Sequence, residues 1–299
     1  MKRYILYILI FFCISAFLDR VIGKGLDYMA KSINGGENSL SFYILKECKS
    51  DIIILGSSRA IHHYDSRIIA DSLGMSCYNC GNDGNGILNM YGRYKLISSR
   101  QKPQIVIYDV FPDNEYFSNN SNLKDLSGLK PYADNKHIKE LFSQYDKKEL
   151  VKLNSYLYRY NTSFFQLLKD FVKPVGYGKE LMGFQPMTGT INYEPPVFSD
   201  YKGKLDTLKI HYLKRLIEDC QNSGTKLVFS VSPRYMADTD SSFNYIKKMC
   251  QQFKIPFISF YTDKEFRHDK TLFRDSQHLN EQGAKIYTIK MIEELKQFI

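Results

Sequence analysis

Apolar residues in this chain gather into short runs, separated by longer stretches in which apolar and polar positions alternate with helical spacing. The runs at 51–56, 75–79, 104–110, 225–231 and 256–260 read as buried strands; the first is Asp51-Ile52-Ile53-Ile54-Leu55-Gly56. The stretches near 60–73, 86–100, 204–222, 241–253 and 281–298 read as helices. Strands and helices in such alternation imply an α/β fold, a three-layer α/β/α sandwich around a roughly five-stranded parallel sheet. The rhythm lapses from Phe111 to about Lys202, where Asn, Tyr and Lys dominate. Short helical pieces at 136–143 and 147–157 and the Pro195-Pro196 pair occur there. This stretch, 111–202, reads as a helical insertion capping the carboxyl edge of the sheet, not as a separately folding domain.

The N-terminus has a pattern of its own. Lys2-Arg3 precedes an apolar run from Tyr4 to Leu18, interrupted only by Ser15 and followed by Asp19-Arg20. A basic start and an apolar segment make a signal or signal-anchor sequence. Val21 and Ile22 extend the run towards a full span. Ile14 spoils the small-x-small site around Ser15-Ala16, and no small residue directly precedes Cys13 as a lipoprotein signal requires. Residues 1–23 are therefore expected to be an uncleaved transmembrane anchor, with the body of the protein extracytoplasmic, on the periplasmic face of a bacterial inner membrane. A buried core helix is the other reading of this run. Residues 24–47 look like a polar, partly helical stalk broken at Asn34-Gly35-Gly36, and 48–299 form the α/β domain.

Composition narrows the function classes. Hydrophobic residues make up 43% and charged residues 24% of 299, ordinary for a globular protein that buries a sizeable core. The net charge is +9, but the basic residues are scattered and not gathered on one stripe, which argues against a nucleic-acid partner. Aromatic residues reach 14% without a single Trp. Core packing is the first use for so many Tyr and Phe, a sugar-contacting groove the second. Of six cysteines, Cys13 lies in the apolar run, leaving the odd set Cys48, Cys77, Cys80, Cys220 and Cys250. Cys77-Tyr78-Asn79-Cys80 has no second CxxC to complete a zinc site and lies on a strand, not at the helix start of a redox motif. A disulfide remains open.

Two short motifs carry chemistry. Gly56-Ser57-Ser58-Arg59 follows the first strand, so Ser58 falls at the carboxyl edge of the sheet, where open α/β folds bind ligands. Asp275-Ser276-Gln277-His278 precedes the last helix. A hydroxyl nucleophile needs a base within hydrogen-bond reach and donors for the developing oxyanion. Ser58, His278 and Asp275 supply nucleophile, base and orienting carboxylate. Each also has a plainer use as a helix cap, and it is their joint placement that favours catalysis. Other residues on the same edge are candidate substrate contacts: Arg59, His62, His63, Asp109 at the end of the third strand, and Ser232 in Ser232-Pro233-Arg234-Tyr235. Arg59 has an alternative as a structural ion pair with Asp83 or Asp109. Tyr158-Arg159-Tyr160-Asn161 is placed to pack the insertion over the site. The Gly81–Gly86 stretch has neither dinucleotide nor P-loop order, and His62, His63 and Asp65 lack the further ligand cluster that zinc would need. No metal or cofactor is implied.

The order strand–Gly-x-Ser, a Gly-containing segment after the second strand, and Asp-x-x-His before the last helix resembles the SGNH/GDSL hydrolase superfamily over residues 51–298 apart from the insertion. The resemblance implies a flavodoxin-like fold with Ser58 as nucleophile and Asp275 and His278 completing a triad. It implies an oxyanion hole from Ser58, Gly81 and Asn82, with Gly81 lending its backbone N–H. The first block departs from Gly-Asp-Ser, with Ser57 replacing the Asp. The family's third block, Gly-x-Asn-Asp, is missing after Tyr108-Asp109-Val110, leaving Asn82, Asn85 or Asn114 to replace its Asn. Gly56-Ser57-Ser58-Arg59-Ala60 also resembles a membrane-anchored subgroup that modifies bacterial envelope polymers. The expected function is thus a serine esterase or O-acyl(acetyl)transferase acting on an ester of a cell-surface or exported glycan, with envelope assembly proteins as possible partners. The alternatives are a catalytically silent scaffold or glycan-binding protein of polysaccharide assembly and, third, a CxxC redox protein.

Overall fold

The computed structural model describes residues 1–33, 36–173, 179–195 and 200–299; Asn34, Gly35 and Pro196 lie outside them. Along the chain, α1 (Lys2–Ser32) and α2 (Gly36–Lys46) precede β1 (Ile52–Leu55). Then α3 (Ser58–His63) and α4 (Ser66–Leu73) lead to β2 (Cys77–Asn79), and α5 (Ile87–Ser98) leads to β3 (Ile105–Asp109). The long stretch that follows holds α6 (Pro112–Glu115), α7 (Asn122–Ser127), α8 (Lys136–Tyr145), α9 (Lys147–Lys152), α10 (Tyr156–Tyr160) and α11 (Phe164–Val172). The alternation resumes with α12 (Thr207–Ser223), β4 (Lys226–Val231), α13 (Asn244–Phe253), β5 (Phe257–Ser259) and α14 (Glu281–Leu295).

The five strands form one parallel sheet in the order β2-β1-β3-β4-β5. Ile52 pairs with Cys77 on one side and Ile105 on the other, Ile105 with Lys226, and Phe229 with Phe257. β1 and β3 are buried throughout, which explains their unbroken Ile and Val content. On one face Ile52, Ile54, Ile107 and Val228 pack with Ala60, Ile69 and, from α14, Tyr287 and Met291. The strand order reverses between β1 and β3, and this flavodoxin-like arrangement opens a crevice at the carboxyl ends of those two strands.

Two expected helices are broken, each by a residue that caps the next one. The stretch 60–73 splits because the Asp65 carboxylate accepts the Arg67 N–H and starts α4. The stretch 147–157 splits because Ser155 Oγ accepts the Tyr158 N–H and starts α10. In both cases a local side-chain acceptor outcompetes helix continuation.

The chain groups into two compact units, one of residues 1–43 and 126–178, the other of 44–125 and 179–299. The insertion is thus divided. Its middle joins the N-terminal helices, while 111–125 and 179–202 stay with the sheet. Tyr158, Arg159, Tyr160 and Asn161 belong to the N-terminal unit, where Arg159 pairs with Asp134 and the Tyr160 hydroxyl donates to Asp27. Nor are residues 24–47 the polar stalk that their composition suggests. Leu26 and Ile33 are buried against Tyr160 and Leu167, because α1 continues as one helix to Ser32 and turns an apolar face to α10 and α11. The preceding part of α1 is exposed and has a mean hydropathy of 2.3 over an 18-residue window, long and apolar enough to cross a membrane.

Candidate functional site

The nucleophile candidate is set by a glycine turn. Gly56 leaves β1 at φ +141°, and a Cβ there would lie 2.8 Å from the Asp109 carbonyl oxygen. Only glycine permits both the backbone and the close approach. The chain then enters α3 with Ser58 as first helical residue, half-buried, while the preceding Ser57 makes no side-chain cap. The first N–H groups of a helix have no acceptor within it, so those at the start of α3 are available to a ligand.

The partner loop is a tight hairpin. Arg274 N–H donates to the His278 carbonyl at 2.8 Å, and Phe273 bridges Leu279. Asp275 Oδ1 accepts the Gln277 and His278 N–H groups at 2.8 and 3.0 Å. The same carboxylate lies 3.0 and 3.1 Å from His278 Nδ1, and His278 Nε2 lies 2.8 Å from Ser58 Oγ across 220 residues of sequence. Burial opposes the charge on Asp275, but the His278 hydrogen bond and charge and the two backbone donors bring its pKa down to about 2. It is a carboxylate at neutral pH, and as an acceptor at Nδ1 it selects the tautomer of the neutral ring whose Nε2 lone pair faces Ser58.

The two histidines of α3 have separate duties. His63 is fully buried. Its Nε2 accepts the Leu279 N–H at 2.9 Å, so the proton sits on Nδ1, which donates to Ser232 Oγ at 2.7 Å. Burial, reinforced by the charges of Arg59, His278 and His62, holds its pKa well below the ordinary value. His62 lies 5.7 Å from His278, ring centre to ring centre. Its Nδ1 donates to the Gln185 carbonyl at 2.6 Å and its Nε2 faces Asp83 Oδ1 at 3.3 Å. Burial disfavours its charge, but the Asp83 and Gln185 contacts and the Asp275 charge outweigh it and raise the pKa.

These opposite shifts affect stability in opposite senses. A histidine held below its unfolded value contributes stability above that value, and the contribution fades as pH falls through it. His62, raised, contributes below the unfolded value and loses that contribution as pH rises through its folded one. Thermal unfolding followed from about pH 8 to pH 5 should therefore show an acid-side loss beginning near the ordinary histidine value of ~6.5, shallower in His63→Gln than in the wild type. Equal slopes in the two proteins would remove His63 as the cause.

Several candidate contacts are walled off. Arg59 is 1% exposed and Asp109 fully buried, and they face each other at 3.8 Å. Arg59 also donates to Ser232 Oγ through Nε at 3.1 Å and through Nη2 at 2.8 Å, and to the Ser232 carbonyl. Asp109 accepts the Tyr64 hydroxyl at 2.6 Å and the Ser232 N–H at 3.2 Å. Arg59, Asp109, His63 and Ser232 thus form one buried network beneath the site and are not exposed as substrate contacts; within it Arg59 Nη1 and Asp109 Oδ2 make no hydrogen bond among the described residues and meet only through the ion pair. The ion pair lies with Asp109, not Asp83. Arg234 and Tyr235 are buried too, Arg234 donating to the Tyr201 hydroxyl. Asp65 caps α4 and both His63 nitrogens are taken, so the His62, His63 and Asp65 group is not assembled as a metal site.

The oxyanion donors also differ from expectation. The Gly81 N–H is occupied, donating at 3.1 Å to the side chain of Asn79, whose own amide donates to the Ala60 and Tyr64 carbonyls. The Asn82 N–H donates to the Gly56 carbonyl at 3.0 Å, which sets Asn82 beside the β1–α3 turn with its side chain half-buried. Asn85 spends its amide on the Asp83 carbonyl. All six cysteines are free thiols; burial raises Cys77 and Cys80 well above the ordinary value, which removes the thiolate a CxxC redox pair requires.

Part of the site has no motif in the sequence. The segment 179–191 lies along the β2 side of the crevice: Asn79 N–H donates to the Met182 carbonyl, Gln185 N–H to the Ile61 carbonyl, and Glu281 N–H to the Met187 carbonyl. Gly183, at φ +82°, marks the closest approach, since a Cβ there would meet the Asn79 carbonyl oxygen at 2.0 Å. Its glycine and polar content was the one available signal.

No family model matches the chain, and no curated protein matches it. Among solved structures it is similar to a candidate acylhydrolase from Bacteroides fragilis, at 10% identity and a TM-score of 0.41 over 82% of this chain and 86% of that one. It is similar also to a candidate lipolytic protein of the G-D-S-L family from Desulfitobacterium hafniense, at 10% identity and TM-score 0.41 over 80% and 96% of the two chains. A GDSL-like lipase from Bacteroides thetaiotaomicron aligns at 8% identity and TM-score 0.42 over 83% of this chain and 88% of that chain.

Proposed function

We propose that this chain is a membrane-anchored serine esterase or O-acyltransferase. The observation that carries the proposal is the line of contacts from Asp275 through His278 to Ser58, with 3.0 Å and 2.8 Å at its two joints. Ser58 Oγ bonds to an ester carbonyl carbon as its proton passes to His278 Nε2. The Asp275 carboxylate steadies the imidazolium so formed. The oxyanion is held by the Ser58 N–H and the Asn82 side-chain amide. The tetrahedral species collapses, the alkoxide leaves with the proton from His278, and an acyl-Ser58 ester remains. Water, deprotonated by His278, then completes hydrolysis; a sugar hydroxyl in its place gives transfer.

The substrate assigned is an acetyl ester of a cell-surface or exported glycan, handled on the extracytoplasmic side. It is supported by the exposed apolar α1 and by the likeness of Gly56-Ser57-Ser58-Arg59-Ala60 to envelope-modifying enzymes. A fluorophosphonate probe tests the chemistry with the full-length protein in detergent. Wild type should be labelled on Ser58, Ser58→Ala not at all, and His278→Ala far more slowly. Labelling that persists in Ser58→Ala would move the nucleophile elsewhere, and an unlabelled wild type would sink the proposal.

A further inference from the structure

We propose that the corner formed by α9 and α10 lies in the headgroup layer of the bilayer that α1 crosses and contacts anionic phospholipid there. The inference rests on the membrane reading of α1 and extends it to a second element of the same unit.

Tyr4 to Ile22 rises about 28 Å at ~1.5 Å per residue, close to the ~30 Å hydrocarbon thickness of a bilayer. The charged pair Asp19 and Arg20 falls in the last turn of that span, where the helix passes into the headgroup layer, and there it is clasped by the α9–α10 corner. The Asp19 carboxylate accepts the Ser155 hydroxyl at 2.6 Å, the Tyr156 N–H at 2.9 Å and the Leu157 N–H at 3.0 Å. Arg20 donates to the Asn154 carbonyl at 2.8 Å. One turn on, a Cβ at Gly23 would lie 2.2 Å from Tyr156 Cβ, so the two backbones meet as closely as glycine allows. Residues 154–157 are thereby held at the level where α1 emerges.

What this corner exposes suits that level. Val151 is 66% and Leu157 42% exposed, and Lys147 and Lys148 are exposed beside them, as is Lys152, whose ammonium pairs with Glu149. Apolar side chains next to lysines are the composition of an interfacial element, which buries the former among acyl-chain ends and sets the latter among phosphates. Alongside is a cavity of about 520 Å³ lined by Arg20, Lys139, Leu150, Val151, Tyr156 and Arg159, together with Asp134. Arg20 and Arg159 stack on the Tyr156 ring at 4.7 and 4.3 Å. Asp134 neutralises Arg159 and Asp19 neutralises Arg20, leaving Lys139 as the cavity's excess charge. That sign fits a phosphate headgroup.

The absence of Trp from the chain makes the test clean. Full-length protein carrying a single Phe11→Trp, Val151→Trp or Leu157→Trp substitution, all at exposed positions, is reconstituted in phosphatidylcholine–phosphatidylglycerol vesicles. Each set includes lipid brominated either near the headgroup or deep in the acyl chain. The proposal expects Trp fluorescence of Val151→Trp and Leu157→Trp to fall about two-fold with shallow bromines, at the ~5–10 Å depth of interfacial side chains. Phe11→Trp should respond to deep bromines. Quenching at Phe11→Trp without quenching at Val151→Trp and Leu157→Trp would overturn the headgroup contact while leaving the anchor intact. A blue-shifted but unquenched signal at both would place a protein surface there and overturn it equally. No quenching at Phe11→Trp would overturn the membrane reading itself, and this inference with it.

Discussion

Ester turnover by the purified full-length protein should fall by about four orders of magnitude or more in Ser58→Ala and comparably in His278→Ala. Both losses come from the same event. Without the Oγ no acyl-enzyme forms, and without Nε2 at 2.8 Å the Oγ proton has no destination. Residues that act as one unit are not additive, so the double variant should be no slower than either single one. What survives is the stabilisation that the oxyanion donors give to attack by water. Release of p-nitrophenol from its acetate ester, with and without an added sugar acceptor, measures hydrolysis and transfer together. A Ser58→Ala rate within tenfold of wild type would remove Ser58 from the chemistry. A wild-type rate no higher than that of both variants would remove the esterase.

The second large effect is on stability. Arg59→Met should destabilise the fold by about 3–5 kcal/mol, because it leaves Asp109 as an uncompensated buried charge. Burial already raises the Asp109 carboxyl pKa even with Arg59 and the Tyr64 hydroxyl in place, so without the guanidinium the group must take up a proton or force the network apart. Arg59→Met combined with Asp109→Asn should recover most of the loss, since an amide carries no charge to strand. Urea unfolding of the single and double variants measures both. If Arg59→Met unfolds at the wild-type midpoint but loses ester turnover, the arginine serves substrate and not the network.

The sheet was the most legible part of the chain because a parallel strand covered on both faces has no choice but an apolar sequence. Ile52–Leu55 and Ile105–Asp109 stand within the runs that announce them. The meeting of Ser58, His278 and Asp275 was legible for a related reason. The turn after β1 and the hairpin before α14 are local structures, each with its chemistry and its conformation written in adjacent residues. What escaped was long-range. His63 and Leu279 meet across 216 residues, and Arg59 and Ser232 across 173, so no spacing reveals that these polar groups face inward. Gly81 shows the same limit at short range, where the side chain of Asn79, two residues away, claims the N–H that the family pattern reserves for an oxyanion. The stalk misled because its polar composition hid Leu26 and Ile33, whose partners Tyr160 and Leu167 come more than a hundred residues later.

The base and its carboxylate sit in the hairpin just before α14, which packs against α3, the helix that begins with Ser58. His278 follows Ser58 by 220 residues. Domains acquire structure from the N-terminal end during synthesis, so β1 and its serine exist well before any partner for that serine does. If the proposed mechanism holds, a nascent chain that lacks the hairpin carries Ser58 without its base and turns over no ester. On the proposed mechanism competence arrives in one later step, as the hairpin and α14 dock and close the hydrogen bond to Ser58, so that emergence of this segment is the event that arms the site.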